Sequence, residues 1–215
     1  MRRSLNSRLY TIRLCLRHPE IALARWRGRG LEPLDAVCVE CAGPGAPPPI
    51  LSPELFRRLA RLTFPYARRV FFAGRSDPLL HAGLRGMLLS ARSYGKEVCV
   101  VTNGLLLDEG AVCALVAAGT DRLVVLPVSG ETPEASRVSK NLDTFGKVLR
   151  GLGASRPVLD LPPPGTWRLP PRRIWIDWDG TVHGPDRPGA AAPAEPLGEL
   201  AALTPRDFLS PRPGV

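Results

Sequence analysis

Residues 70–134 read VFFAGRSDPLLHAGLRGMLLSARSYGKEVCVVTNGLLLDEGAVCALVAAGTDRLVVLPVSGETPE, and this stretch decides the fold. Short apolar runs (VFFA, VCVV, RLVVL) alternate in it with longer helical stretches, and each run ends in a polar or glycine-containing turn: GRSDP, TNG, SGETP. Short β-rich runs bounded by such turns and separated by helix-length segments predict a parallel sheet with crossover helices. Ligands bind at the carboxyl ends of strands in such sheets. The three turns should therefore meet on one rim, where function is to be sought first.

Working outward, residues 36–40 (AVCVE) predict a strand before this stretch, followed by CAGPGAPPPI as a loop. Ser52, Pro53 and Glu54 then open a helix to about residue 62: a cap, a first-turn proline and a first-turn acid. Further strands are expected at 69–72, 97–101 and 122–126, and a fifth at 158–161. The helices are expected at 79–94, from the Asp108 cap to 118, and from about 142 to 152. Four or five such units fall short of a closed eight-strand barrel, which takes about 250 residues, so an open half-barrel is expected. Beyond it LPPPGTWRLPP predicts a stiff linker, RIWIDWDGTVH (173–183) a β-hairpin around Asp179-Gly180, and 185–215 a loose tail.

The net charge of +9 suggests nucleic acid until it is located. Residues 1–30 hold eight arginines against Glu20, which is +7, leaving only +2 for the rest. A basic arm is thus indicated, and specific nucleic-acid binding is not. Leu5, Leu9, Ile12 and Leu16 at helical spacing make the arm an amphipathic helix that docks on the domain, with a membrane surface or a transit peptide as other fates. No stretch reaches the roughly 20 apolar residues of a membrane span. The five cysteines lie mostly in apolar segments, as suits reduced thiols in the cytoplasm.

Four ordered pieces resemble the radical S-adenosylmethionine (radical SAM) superfamily: Gly74-Arg-Ser-Asp77-Pro78-Leu-Leu-His81, Thr102-Asn103-Gly104-Leu-Leu-Leu107, Ala118-Gly119-Thr-Asp121 and Val125-Leu-Pro-Val-Ser129-Gly130. The IDWDGTV segment and a downstream LGEL also look like the start of a SPASM-type domain. The resemblance implies a partial (β/α) barrel over 31–161, with a helical lead-in over 1–30 and a Pro-rich linker, SPASM-like hairpin and tail over 162–215. It also implies that Gly74, Asp77, Thr102, Asn103, Gly104 and Ser129 line the S-adenosylmethionine pocket.

The family holds a four-iron cluster with three cysteines of a CxxxCxxC loop just after the first strand. Here that loop reads Cys41-AGPGAPPP. Cys38 and Cys41 have the spacing of the last two ligands, but Leu34 stands where the first should be. The preferred alignment places VCVECA on the strand itself, with the loop deleted, so that Cys38 and Cys41 point to opposite faces. Arg75 is a charge the family motif does not expect, Pro127 and Ser129 replace the Ser and Asp of the fourth strand, and no cysteine follows Cys113.

The expected function is that of a radical-SAM-like protein without a conventional iron–sulfur site or resident cofactor. It would be a non-catalytic partner or substrate-binding subunit for an intact radical SAM enzyme, or for a peptide or small-molecule substrate. The alternative is an active enzyme that holds a 4Fe-4S cluster and S-adenosylmethionine. It would use Cys38, Cys41 and a third ligand, Cys15 or one from a partner chain, with Asp77 and Asn103 shaping the pocket. A lesser alternative comes from Asp177-Trp-Asp179-Gly-Thr-Val, which matches the DxDGT[VL] motif of haloacid-dehalogenase-type phosphatases. There one aspartate attacks phosphorus and the other is the acid/base, but that chemistry also needs a downstream lysine, and none follows. His81 is expected to be structural.

Overall fold

The computed structural model describes residues 34–126, 132–163, 166–170, 173–184, 196–200 and 202–203, together with Pro19. The predicted N-terminal helix, Cys15, Ser129 and most of the tail lie outside the described residues. Eight strands form one sheet: β1 (Leu34–Val39), β2 (Ala67–Phe72), β3 (Glu97–Thr102), β4 (Arg122–Val125), β5 (Val158–Asp160), β6 (Arg173–Ile176), β7 (Thr181–His183) and β8 (Pro196–Glu199). The spatial order is β5-β4-β3-β2-β1-β6-β7-β8. Strands β1 to β6 pair in parallel, whereas β7 and β8 are antiparallel. The sheet does not close, and β5 and β8 are its edges.

Four α-helices lie between the parallel strands: α1 (Pro53–Thr63), α2 (Leu84–Ser93), α3 (Glu109–Ala117) and α4 (Pro133–Gly151). Ser52 caps α1 by accepting the Leu55 N–H at 3.1 Å, and Asp108 caps α3 by accepting that of Ala111 at 2.8 Å. Two helices start elsewhere than the sequence predicts. The chain first makes a 3-10 turn over Pro78–Leu80, and extended His81 delays α2 to Leu84. Helix α4 begins at Pro133, well before residue 142, because Thr132 caps it by accepting the Ala135 N–H at 3.2 Å. Thr132-Pro133-Glu134 repeats the chemistry of Ser52-Pro53-Glu54, so this start had a readable signal.

The main core lies between the sheet and the helices. Val37, Val39, Val70, Phe72, Val98, Val100, Ile174 and Ile176 meet Phe56, Leu59, Leu88, Leu115 and Phe145 there. Period-2 alternation sends Ala36, Cys38, Phe71, Cys99 and Val124 to the other face, where Trp167, Leu169 and Trp175 pack on them. The predicted hairpin is present as β6 and β7, and β6 continues the sheet beside β1 with Cys38 opposite Trp175. Among the described residues no helix is long and apolar enough to cross a membrane.

Candidate functional site at the strand ends

Immediately after β1 stands Glu40, fully buried. Its carboxylate is held by one neighbour: Oε1 accepts the Arg75 backbone N–H at 2.7 Å and Nε–H at 3.3 Å, and Oε2 accepts Nη2–H at 3.0 Å. A buried carboxylate is costly unless paired and hydrogen-bonded, and Arg75 supplies both. Bonding to Glu40, and then its charge, raise the Arg75 pKa above the ordinary value. Gly74 makes the approach feasible, since a Cβ there would stand 2.6 Å from Glu40 Cγ. The sequence reading missed Glu40. Its signal was an acid closing an apolar strand (AVCVE), with an arginine that the GRSDP turn did not call for.

The Arg75 side chain is 61% exposed, and Nη2 lies 3.7 Å from Asp177 Oδ2. Asp177 follows β6. Its Oδ1 accepts the Trp175 Nε1–H at 2.8 Å, and its Oδ2 lies 3.0 Å from His183 Nε2. Asp179 accepts the Thr181 N–H at 2.9 Å, within the turn. Both aspartates of the phosphatase-like motif thus serve the hairpin. Among the described residues, Glu40, Arg75, Asp177 and His183 form one polar row on the rim, each within reach of the next.

Of the residues expected to line an S-adenosylmethionine pocket, Asp77, Thr102, Asn103 and Gly104 are near neighbours, bonded to one another. Asp77 Oδ2 accepts the Thr102 hydroxyl at 2.6 Å and the Asn103 N–H at 3.0 Å, and its Oδ1 accepts the Leu79 N–H at 2.9 Å. Thr102 Oγ1 in turn accepts the Gly104 N–H at 3.0 Å, and Asn103 Oδ1 accepts that of Leu105 at 2.9 Å. The Gly104 carbonyl accepts from Asn141 of α4 at 2.8 Å. The GRSDP and TNG turns therefore do converge, latched by Asp77. His81 is buried, with Nε2 2.9 Å from the Leu51 carbonyl and Nδ1 accepting the Gly83 N–H.

Cys38 packs on the face opposite the helices, whereas Cys41 packs in the helix-side core. Burial, and then the Glu40 charge, push the Cys41 thiol up to about 12, which opposes the thiolate that an iron ligand must be. The loop beyond Cys41 folds back through an Ala42–Ile50 bridge. It lies against the hairpin so closely that a Cβ on Gly43 would meet Trp178 at 2.2 Å. Among the described residues no three His, Cys, Asp or Glu side chains are grouped to hold a metal ion. Cys38 and Cys41 do not fit a cluster site.

No protein-family model matches the chain, and no curated protein matches it in sequence. Solved structures do. The chain is similar to BtrN in an open conformation, with a TM-score of 0.58, 14% identity, and coverage of 83% of this chain and 81% of that one. It is similar to BtrN in complex with AdoMet and 2-DOIA at a TM-score of 0.53 and 16% identity, covering 69% of this chain and 72% of that one. SuiB of Streptococcus suis bound to S-adenosylmethionine aligns over 89% of this chain and 69% of that one, at a TM-score of 0.45 and 8% identity. At these identities the BtrN likeness speaks for the fold alone: a mixed α/β, radical-SAM-like fold whose eight-stranded sheet stays open.

Proposed function

We propose that the chain is a radical-SAM-like protein without a conventional iron–sulfur site, acting as a non-catalytic partner or substrate-binding subunit for an intact radical SAM enzyme. One observation carries this reading: Cys38 and Cys41 sit on opposite faces of the sheet. A cluster ligand set must converge on one point, and rotating a buried strand residue to the other face would undo the packing on both. The S-adenosylmethionine positions support the reading too, because Asp77 already accepts three hydrogen bonds from its own chain. The hairpin is then the remnant of a SPASM-type domain. Among the described residues β5 and β8 are the sheet's edges, where a partner's strand would pair.

The test is iron and sulfide content after anaerobic reconstitution of the full chain, beside a Cys38→Ala/Cys41→Ala double variant. The expected result is no iron dependent on these cysteines, with no reductive cleavage of S-adenosylmethionine. About four irons per chain in the parent, lost in the double variant, would sink the proposal in favour of an active enzyme with Cys15 or a partner's group as third ligand.

A further inference from the structure

The strand order singles out one place on the rim. Strands β1 to β5 follow one another to one side, whereas β6 lies on the other side of β1. In open α/β sheets a ligand binds outside the carboxyl ends of the strands at such a reversal. The first residue after β1 is Glu40 and the first after β6 is Asp177, and the Arg75 guanidinium reaches both. We propose that these residues form a binding site for a guanidinium group, filled in the free chain by Arg75, which the guanidinium of a ligand displaces.

The two carboxylates are placed by the sheet itself. Its backbone ladder runs on past the strand ends: the Glu40 N–H donates to the Ile176 carbonyl at 2.9 Å, and the Ala73 N–H to that of Val39 at 3.1 Å. The alternation that turns Cys38 and Trp175 to the face opposite the helices therefore turns Glu40 and Asp177 there as well.

Glu40 is fixed, and the side chain that covers it is not. The Glu40 carboxylate is wholly buried, and one of its donors, the Arg75 backbone N–H at 2.7 Å, stays whatever the Arg75 side chain does. That side chain is 61% exposed. Its Nε and Nη2 offer Glu40 a planar fork that a free guanidinium presents equally well. Nη2 stands 3.7 Å from Asp177 Oδ2, beyond hydrogen-bond reach. A guanidinium that is not tied to the backbone at residue 75 is free to approach Asp177 more closely. The exchange replaces one positive charge with another, so it leaves the field of the rim as it was. On the reading of the chain as a substrate-binding subunit, an arginine-like group is the part of the substrate held here.

The probe is butylguanidinium, titrated calorimetrically into the full chain, an Arg75→Ala variant and an Arg75→Ala/Glu40→Gln variant. Circular dichroism melts establish that each is folded. We expect saturable binding to Arg75→Ala and none to the double variant. The parent should bind about tenfold or more weakly than Arg75→Ala, because its own guanidinium holds the site for most of the time. Butylamine, matched in chain length, should bind Arg75→Ala about tenfold or more weakly than butylguanidinium, since an ammonium lacks the flat fork. A second readout needs no variant at Arg75 or Glu40: the Trp175 indole N–H donates to Asp177 Oδ1 at 2.8 Å, and its NMR signal in the parent should shift as the site fills. The proposal is overturned if that signal stays in place at every probe concentration, whether or not the variants fold. It is also overturned if Arg75→Ala binds no more tightly than the parent or the folded double variant, or if butylamine binds it as tightly as butylguanidinium. Iron content depends on Cys38 and Cys41, not on Glu40 or Arg75, so either result leaves the iron measurement to stand or fall alone.

Discussion

On its helix-covered face the sheet presents Val37, Val39, Val70, Phe72, Val98, Val100, Leu123 and Val125. On the other it presents Ala36, Cys38, Phe71, Ala73, Cys99, Val101 and Val124. The first set is mostly β-branched, with Leu123 and Phe72 adding bulk, and fills the space under four helices. The second is smaller on average, and it is bordered by charge at both ends: Arg69, Glu97 and Arg122 at the strand starts, Glu40 and Asp177 just past the strand ends. Same backbone, two purposes. One face carries the main core; the other carries a smaller core flanked by charged side chains.

The comparison predicts unequal costs for adjacent phenylalanines. Phe72→Ala empties a fully buried site in the main core and should cost about 3–5 kcal/mol in a denaturant titration. Phe71→Ala should cost about 2 kcal/mol, because its cover comes from the partly exposed Trp167 and Leu169. Equal losses would break the distinction between the faces.

A smaller effect is expected at the rim. Arg75→Ala leaves the buried Glu40 carboxylate with the backbone N–H of residue 75 as its remaining donor from that neighbour, and should cost about 2 kcal/mol. Glu40→Gln in that background should recover part of the loss. A double-mutant cycle without coupling would show that the rim charge is no part of the design. Asp77→Asn should cost about 1 kcal/mol and speed hydrogen exchange at the Asn103 amide, which its carboxylate holds. Unchanged exchange there would mean that the latch does not join the β2 and β3 turns.

The smallest effect is in pH. Burial pushes the thiols of Cys41 and Cys99 up from 9.0 to about 12. The unfolded chain therefore releases those protons first. Their contribution to stability is complete below pH 9.0 and is lost as pH rises toward about 12. Urea midpoints should fall with rising pH across that window, and less steeply in Cys41→Ala. Since Cys41 serves the helix face and Cys99 the other, matching the slopes of single variants would sharpen the comparison.

Much of this was readable along the chain. The third strand is expected at 97–101 and runs Glu97–Thr102, and the fourth is expected at 122–126 and runs Arg122–Val125, because apolar runs between turn residues carry their own boundaries. Opposed faces for Cys38 and Cys41 are expected from the period of a strand, but β1 ends at Val39, and Cys41 reaches the helix-side core from the segment just beyond it. The α4 start is expected only at about 142, because SGETP reads as a turn, although Thr132-Pro133-Glu134 carries the capping signal. The rim was only half readable. Asp77, Thr102 and Asn103 stand in recognisable turns, but nothing near Glu40 in sequence pairs with it: Arg75 is 35 residues away.

What the amino-acid sequence determined by itself was local. Helix caps, strand alternation and turn residues act over a few positions, and together they specify βα units and the order in which they follow. Only the tertiary structure decided that β6 pairs beside β1 and brings Asp177 within reach of Arg75. The ion pairs Arg69–Glu97 and Arg122–Asp160, likewise, join side chains from four different strands. Side chains far apart in the chain acquire a common field only when the sheet sets their strands side by side, about 4.8 Å apart. That is a property of strand order, which no local pattern encodes.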